Sequence, residues 1–263
     1  MEHATISTRV EGHVGHLRLN RPSALNAIYP AMYDEIHAAL DGWRADPDVR
    51  CLVLSGAGRA FCAGGDMQFD VGLLAGLGGD GALELSRVSQ NAARAFFEYP
   101  KPVIAQVHGA AVGGGMDLAL ACDLVIAAAG TKFGQYWTRR GVVPDMGGGW
   151  FLAQVVGLHR AKDLVYTGRT ILAEEAYEMG LLTRVVPESE LDDVVEALAV
   201  HIAAMPTQAL IQAKRLMNTT VSEPLDTYYG LANSMIPYLS STEDHAEGVL
   251  AFKENREPRY TGR

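Results

Sequence analysis

The sequence of 263 residues lacks the features that mark several large classes of protein. No apolar run approaches the length of about 20 residues that a membrane-spanning helix needs, and residues 1–12 carry no basic-then-apolar targeting signal. No basic cluster offsets the formal net charge of −9, which argues against a nucleic-acid surface. We therefore expect a cytoplasmic protein that binds neither membranes nor nucleic acid.

Cysteine is scarce, and its positions suggest neither disulfides nor a metal centre. Cys51, Cys62 and Cys122 are an odd set without C-x-x-C spacing, and each lies in an apolar neighbourhood. We expect buried thiols in a reducing compartment. His13 and His16 are three residues apart on a predicted hairpin, where a solvated turn is a better interpretation than a zinc site. No metal site is predicted.

The motifs of nucleotide-binding and hydrolytic enzymes are also missing. The glycines of SGAGRAF (55–61) do not complete G-x-G-x-x-G, because Phe61 stands where the third glycine belongs. The sequence has no G-x-x-x-x-G-K-[ST], no G-x-S-x-G and no H-E-x-x-H. Nucleotide, serine-hydrolase and zinc-protease chemistries therefore lose support.

Strand and helix patterns alternate in the first 187 residues. The predicted elements are two strands within 4–20, a helix over 31–43, a strand at 51–56, a glycine-rich loop at 73–81, a helix at about 82–98, a strand at 102–109, a short helix ending at Ala121, and a strand from Leu124. This order predicts a mixed α/β core with crossover connections.

Beyond Pro187 the sequence is predicted to be helical to its end, with breaks at Pro206, Pro224 and Pro237. We place a boundary near 190–205, so that 1–195 forms the core and 196–263 a helical appendage. The apolar stripe of the appendage is able to pack on the core or on a neighbouring subunit, and the sequence does not separate the two.

Two glycine-rich segments stand out in the core. Gly113-Gly114-Gly115 comes directly before a predicted helix, where N–H groups lack intrahelical partners and the helix dipole favours negative charge. A second segment, FCAGGD (61–66), follows a predicted strand. Two loops that each offer one backbone N–H meet the requirement of an oxyanion hole. Tight turns and close packing explain either segment taken alone.

In order and spacing, long segments of this chain resemble the crotonase, or enoyl-CoA hydratase/isomerase, superfamily. They are NRPSALNA (20–27), RAFCAGGDM (59–67), KPVIAQVHGAAVGGGMDLALACDLVIA (101–127), FGQYWTRRGVVPDMGGGWFLAQVVG (133–157), YTGRTILAEEAYEMGLLTRVVP (166–187) and GVLAFKENREPRYTG (248–262). The resemblance implies an α/β fold built as a spiral of repeated strand–strand–helix units. It also implies a C-terminal helical region, 196–263, that makes homotrimers or dimers of trimers.

The resemblance further implies an acyl-CoA thioester as substrate, with coenzyme A as part of the substrate and no separate cofactor. The family stabilises an enolate on the thioester oxygen with two backbone N–H groups, which correspond here to Gly65 and Gly114. The triplet 113–115 would then clear a path for that oxygen. The candidates for binding the substrate and its CoA portion are Arg21, Ala24, Ala63, Asp66 and Trp137, with Lys253 and Arg256 as weaker ones.

The acid–base positions depart from the hydratase pattern. Similar hydratases place two glutamates over the substrate, where this chain has Asp117 and Trp137, and tryptophan cannot transfer protons. Asp145, in VVPDMGGGW, matches an aspartate of double-bond isomerases in the family. It also matches the nucleophile of 4-chlorobenzoyl-CoA dehalogenases, which share the tryptophan. Those dehalogenases need a histidine on the helix before KPV, and this helix has Gln90 in the region and no histidine.

Each aspartate also has a structural interpretation. Asp117 falls in the first turn of its helix, where the dipole stabilises an acid. Asp145 is placed to act as the N-cap of the following helix. Asp123, at the end of LACD, is expected to be a structural hydrogen-bonding residue.

The sequence thus predicts an enzyme, of the kind found in fatty-acid metabolism, that moves a double bond in an unsaturated acyl-CoA. Asp145 would remove a proton beside the thioester, and Asp145 or Asp117 would return it at another carbon. An aspartate is a weak base unless its surroundings are apolar. The candidates for that lining are Trp137, Met146, Trp150 and Phe151. Hydration of a 2-enoyl-CoA (a lyase activity), dehalogenase-like chemistry and a non-catalytic acyl-CoA-binding subunit stay open.

Overall fold

Two sheets form the centre of the protein. The computed structural model describes residues 5–66, 81, 83, 86–220 and 222–263. The strands in this part of the chain are β1 (Ile6–Glu11), β2 (Val14–Leu19), β3 (Cys51–Gly56), β4 (Val103–Val107), β5 (Ala110–Val112), β6 (Leu124–Ala128), β7 (Lys132–Gly134), β8 (Thr170–Leu172) and β9 (Arg184–Val186). The larger sheet has the order β1-β2-β3-β4-β6-β9 and the smaller one β5-β7-β8. In the larger sheet β1 and β2 form an antiparallel hairpin, and the other neighbours are parallel.

Helices connect and cover these strands, as parallel pairing requires. They are α1 (Pro30–Arg44), α2 (described over 86–97), α3 (Gly114–Leu120), α4 (Gly148–Val156), α5 (Leu158–Thr167), α6 (Ala173–Glu178), α7 (Leu191–Ala203), α8 (Thr207–Thr220), α9 (Leu225–Ser240) and α10 (Glu243–Glu254). The units β4-β5-α3 and β6-β7-α4 each repeat strand–strand–helix. The predicted α/β class and its repeating unit are confirmed.

The central strand β3 is buried on both faces, which explains its uninterrupted apolar sequence CLVLSG. Alternate residues of a strand point to opposite faces. Leu52 and Leu54 belong to the cluster that contains the apolar side of α1, whereas Cys51 and Val53 pack in a second cluster with the apolar side of α7. The two layers of helices therefore enclose the sheet.

The three cysteines are free and buried, as predicted. Burial raises the pKa of the Cys51 thiol and of the Cys62 thiol to about 12. A thiol reacts as the thiolate, so neither group is poised for chemistry near neutral pH.

Several sequence predictions need correction. The predicted break at Pro237 is wrong, because α9 continues through it. This proline lies in the last turn on the exposed side, and the carbonyl of Asn233, which loses its intrahelical donor, belongs to an exposed residue. Residues 255–263 are not helical. Their backbone is held in place because Asp244 accepts the N–H groups of Thr261 and Gly262.

The predicted breaks at Pro206 and Pro224 are confirmed, and the helix predicted at 82–98 is confirmed over 86–97. The predicted loop at 73–81 lies outside the described residues, except for residue 81, which is helical. The predicted boundary at 195/196 falls within α7, which packs on the larger sheet. The division into a core and an oligomerisation region stays a prediction.

The length and composition of the helices also bear on membrane insertion. Among the described residues, no single helix combines the length and apolar character of a membrane span. The segments Glu188–Ala203 and Thr207–Thr220, bent by 103°, pass that test of length and composition only as a pair.

An ion pair between the buried Lys214 and the partly exposed Asp123 attaches α8 to the core. Lys214 Nζ donates to Asp123 Oδ2 at 2.7 Å and also donates to the carbonyl oxygens of Phe96 and Lys101. Asp123 additionally accepts the N–H of Val103 at 2.7 Å. Burial raises the pKa of Asp123, while the Lys214 charge acts in the opposite direction. The predicted structural role of Asp123 is confirmed.

Replacing Lys214 with methionine should lower the free energy of unfolding by about 1–3 kcal/mol, because it leaves the partly exposed Asp123 carboxylate without its counter-charge. Chemical denaturation of the wild type and K214M measures the difference. The double variant K214M/D123N, which removes both charges, should recover most of the loss. Equal stability of K214M and the wild type would show that the pair contributes nothing.

Candidate active site

Two glycine-rich loops meet at the N-terminus of α3. The 62–66 loop pairs with the strand before α3, since the Cys62 N–H donates to the Ala110 carbonyl and the Val112 N–H donates to the Cys62 carbonyl. On its other side, the Ile28 N–H donates to the Gly64 carbonyl at 2.8 Å. The loop is therefore fixed by backbone hydrogen bonds on both sides.

The three consecutive glycines meet three different requirements. Gly113 has a φ of +53°, a region that L side chains rarely adopt. A Cβ on Gly114 would lie 2.7 Å from Met146 Sδ, and a Cβ on Gly115 would lie 2.2 Å from the Cys62 carbonyl oxygen. The backbone conformation thus requires glycine at 113 and the packing requires it at 115, and the cleared path for a ligand stays a prediction.

The backbone N–H groups of Gly65 and Gly114 have no backbone acceptor among the described residues. For Gly114 the reason is its place as the first residue of α3, where N–H groups lack intrahelical partners. Gly64, the neighbour of Gly65, comes close to the same point, since a Cβ on it would lie 3.2 Å from the Gly114 nitrogen. The two loops thus bring available donors from distant parts of the chain near one another.

Asp117, in the first turn of α3, is fully buried, and both of its carboxylate oxygens accept hydrogen bonds. Gln135 Nε2 donates to Oδ1 at 2.7 Å, and Trp137 Nε1 donates to Oδ2 at 3.1 Å. The backbone N–H of Gly148 is a third donor. Burial, with a smaller contribution from the negative charge of Asp145, raises the pKa of Asp117 to about 7, although the donors oppose the shift.

Asp145 lies in the loop before α4 and has a different environment. Ser86 Oγ of α2 donates to Asp145 Oδ2 at 2.6 Å, and Gln90 Nε2 donates to Ser86 Oγ at 3.0 Å. Oδ1 is buried and has no partner among the described residues. The predicted N-cap role is wrong, because the N-cap of α4 is Gly147 and no side chain caps it.

Ser86 is a site residue that the sequence analysis missed. It lies one helical turn before Gln90, and residues four apart on a helix are neighbours. Because Gln90 is already a residue of interest in the sequence, this four-residue spacing is the signal that could have indicated Ser86.

A cleft of about 310 Å³ adjoins Asp145 between α2 and α4. Met146, Trp150 and Phe151 line it, as predicted, together with Phe97. The rings of Phe97, Trp150 and Phe151 lie 5.3–5.5 Å apart. Trp150 is 47 % exposed, whereas Met146 and Phe151 are buried.

Trp137 occupies a different place from the other predicted lining residues. Its indole N–H is directed to Asp117, and its Cζ2 lies 3.7 Å from the position of a Cβ on Gly114. It is therefore a neighbour of the α3 N-terminus and does not line the cleft beside Asp145.

Arg21 and Asp66, both predicted to bind CoA, bind each other. Arg21 Nη2 donates to Asp66 Oδ2 at 2.8 Å, and Arg21 Nη1 donates to the Ala27 carbonyl at 2.5 Å. The guanidinium also lies 4.3 Å from the centre of the Tyr29 ring. This ion pair joins the 21–29 segment to the second glycine loop, so the charge of Arg21 is largely compensated within the chain.

The backbone of Ala24 and Ala63 is also used within the chain. The Ala27 N–H donates to the Ala24 carbonyl, and the Ala63 N–H donates to the Leu25 carbonyl, both at 3.0 Å. Asn26, which the sequence analysis missed, holds this turn with a φ of +56°, where asparagine is tolerated. Its buried Nδ2 donates to the carbonyls of Ala57 and Ala60, each at 2.8 Å.

The two weaker CoA candidates lie at the C-terminal end of α10. Lys253 is exposed, whereas Arg256 pairs with Glu247 and Glu254. In the described part of the chain, no group of three or more His, Cys, Asp or Glu residues is arranged to hold a metal ion.

Comparison with known proteins places this geometry in a family. The sequence profile described as "Enoyl-CoA hydratase/isomerase" matches residues 9–263. The chain belongs to the enoyl-CoA hydratase/isomerase family. The resemblance to the crotonase superfamily is thereby confirmed, and the chain is an acyl-CoA enzyme of that family.

Relatives in this family carry different reaction names. The "1,2-epoxyphenylacetyl-CoA isomerase" of Escherichia coli K12 is 37% identical over 258 residues and 98% of each chain. A "Probable enoyl-CoA hydratase" of Rhodobacter capsulatus is 38% identical over 270 residues and 100% of each chain. The crystal structure of an enoyl-CoA hydratase from Bacillus anthracis matches with a TM-score of 0.93 at 34% identity, covering 99% of this chain and 100% of that one.

The raised pKa of Asp117 predicts a pH-dependent stability. A carboxyl with a raised pKa in the folded state stabilises the protein when it is protonated, and this stabilisation is lost as pH rises from about 4 to about 7. Over that range, the free energy of unfolding of the wild type should fall by a few kcal/mol more than that of D117N. Urea denaturation at a series of pH values checks this. A constant difference between the two proteins would contradict it.

Proposed function

We propose that this protein isomerises the double bond of an unsaturated acyl-CoA thioester, with Asp145 as its acid–base group. The proposal rests chiefly on the contrast between two carboxylates. Asp145 has one oxygen held by Ser86 and a second, buried oxygen without a partner among the described residues. Both oxygens of Asp117 already accept hydrogen bonds. A general base needs an available lone pair in the site, and Asp145 offers one.

In this proposal the thioester oxygen accepts the N–H groups of Gly65 and Gly114. Asp145 Oδ1 removes a proton from the acyl chain, and the electron pair of the broken C–H bond spreads through a dienolate to the thioester oxygen. The same carboxyl returns the proton at another carbon, so the double bond moves and no atom is gained or lost. One such donor typically contributes about 3–4 kcal/mol to transition-state stabilisation.

Hydration of a 2-enoyl-CoA is the second candidate. The hydratase names of several relatives favour it, and the pKa of Asp117, near 7, suits a group that exchanges protons with water. Against hydration, a water molecule bound to Asp117 would have to compete for an enclosed carboxylate that already accepts hydrogen bonds from three donors. Dehalogenase-like chemistry has less support, because the α2 side chains that lead to Asp145 are Ser86 and Gln90 rather than histidine.

The proposal includes assembly into a homotrimer or a dimer of trimers through the helices of 196–263. These helices carry large apolar side chains that the single chain leaves exposed. They include Leu225, Tyr229, Ile236 and Phe252.

Separate incubations with a 3-enoyl-CoA and a 2-enoyl-CoA in deuterated water test the reaction. The isomerase should convert the 3-enoyl-CoA to an isomer of the same elemental composition, apart from deuterium at the carbons that exchange with solvent. Mass spectrometry and proton NMR report both results. A product heavier by one water would establish the hydratase instead, and tight binding without conversion of either thioester would indicate a non-catalytic subunit.

In the same assay, D145N should lose about 10²–10⁴-fold in turnover while retaining acyl-CoA binding, because the amide has no lone pair basic enough to take the proton. The matched control is D41N, at an exposed aspartate of α1 that pairs with Arg44. It should turn over like the wild type. Unchanged turnover by D145N would remove Asp145 from the mechanism.

Replacing Gly114 with proline tests the N–H donor. Proline is tolerated at the first position of a helix, but it removes the N–H, so turnover should fall by about 10²–10³-fold. The control is G114A, which adds the same Cβ beside Met146 and keeps the N–H. Circular dichroism verifies that both variants fold. Equal turnover by folded G114P and G114A would place the thioester oxygen elsewhere.

A further inference from the structure

We propose that Asp117 is a positioning residue, whose enclosed carboxylate joins the N-terminus of α3 to the start of α4 and thereby sets the Gly114 N–H against Asp145. The expected effect on turnover rests on the proposed function. The proposal replaces the expectation that Asp117 itself transfers protons.

Backbone hydrogen bonds attach Asp117 to the turn that carries Gly114. The Asp117 N–H donates to the Gly113 carbonyl at 3.1 Å, and the Gly113 N–H donates to the Gly134 carbonyl at 2.8 Å. The first turn of α3 is thus tied to β7, which ends directly before Gln135. A displacement of Asp117 would carry the Gly114 N–H with it.

The donors to the Asp117 carboxylate come from two other segments of the chain. Gln135 and Trp137 approach from the segment after β7, and the Gly148 N–H approaches from the first residue of α4. A Cβ on Gly148 would lie 1.9 Å from Asp117 Oδ1, so only glycine permits this approach. Gly148 follows Asp145 by three residues, and Asp117 therefore fixes the end of the loop that carries the base.

The Asp117 carboxylate offers no route for direct proton transfer. Asp117 has no exposed surface, and donors from protein groups occupy both oxygens. A group that touches the reacting carbon needs a free oxygen directed at it. Asp117 thus acts through the segments that it holds.

The variant D117N should keep the fold and weaken the link between α3 and α4. Gln135 Oε1 is buried without a partner in the part of the chain that the structure describes. In D117N, rotation of the Gln135 amide lets this oxygen accept from the NH₂ group that the substitution introduces, so the variant should fold. Asparagine has one acceptor oxygen where aspartate has two, and at least one of the other two donors, Trp137 or Gly148, then loses its partner.

The experiment compares the wild type, D117N, W137F and the double variant. D117N should lower kcat about tenfold with KM changed less than threefold, and should keep both the shape of the pH profile and deuterium exchange. The kcat of the double variant should be little lower than that of D117N, because both changes break the same group of hydrogen bonds. The control D123N, at an ion-paired aspartate outside the site, should lower stability and leave kcat unchanged.

Hydrogen–deuterium exchange gives a measure that does not depend on the reaction. Peptides that contain Gly148 should exchange faster in D117N than in the wild type, and in D123N they should not. Unchanged exchange at these peptides would overturn the positioning role, whether or not the wild type isomerises its substrate. A loss of kcat near 10³-fold together with loss of one limb of the pH profile would make Asp117 a catalytic residue instead.

Discussion

The contact between α3 and the 62–66 loop is the constraint on which the site depends. A Cβ on Gly115 would lie 2.2 Å from the Cys62 carbonyl oxygen, so no larger residue lets the helix come this close. The contact brings the first N–H of α3 beside the loop that carries Gly65. Protein interiors are too densely packed to yield easily, and the placement of the two N–H groups is therefore a property of the fold that exists before any ligand binds.

Surroundings give two aspartates of this site different chemistry. Asp117 is enclosed and hydrogen-bonded on both oxygens, and burial raises its pKa to about 7. Asp145 accepts a hydrogen bond from Ser86 on one oxygen and keeps the other without a partner among the described residues. Environment rather than residue type separates a carboxyl with both oxygens occupied from one that keeps a free lone pair.

Sequence patterns were sufficient for the mixed α/β class and for the two glycine loops, because long apolar patterns and fixed glycine spacings are local signals, whereas the spiral of strand–strand–helix units followed from the family resemblance. It missed β5, β7, β8 and β9, since three residues are too few to show alternation. The alternative interpretation of Asp145 as an N-cap was wrong, and the sequence did not indicate its partner Ser86, which is 59 residues away in the chain. The donors to Asp117 likewise come from separate segments, and such tertiary partners leave no trace in local spacing.

Unfolding of the C-terminal helices is tied to unfolding of the sheet by the ion pair of Lys214 and Asp123. Peeling α8 away would separate the buried Lys214 ammonium from the partly exposed Asp123 carboxylate and leave each charge without its partner. Asp123 also accepts the N–H of Val103, so the same carboxylate joins α8 to the start of β4. Detachment of α8 alone would break this ion pair, which favours the unfolding of α8 together with the sheet.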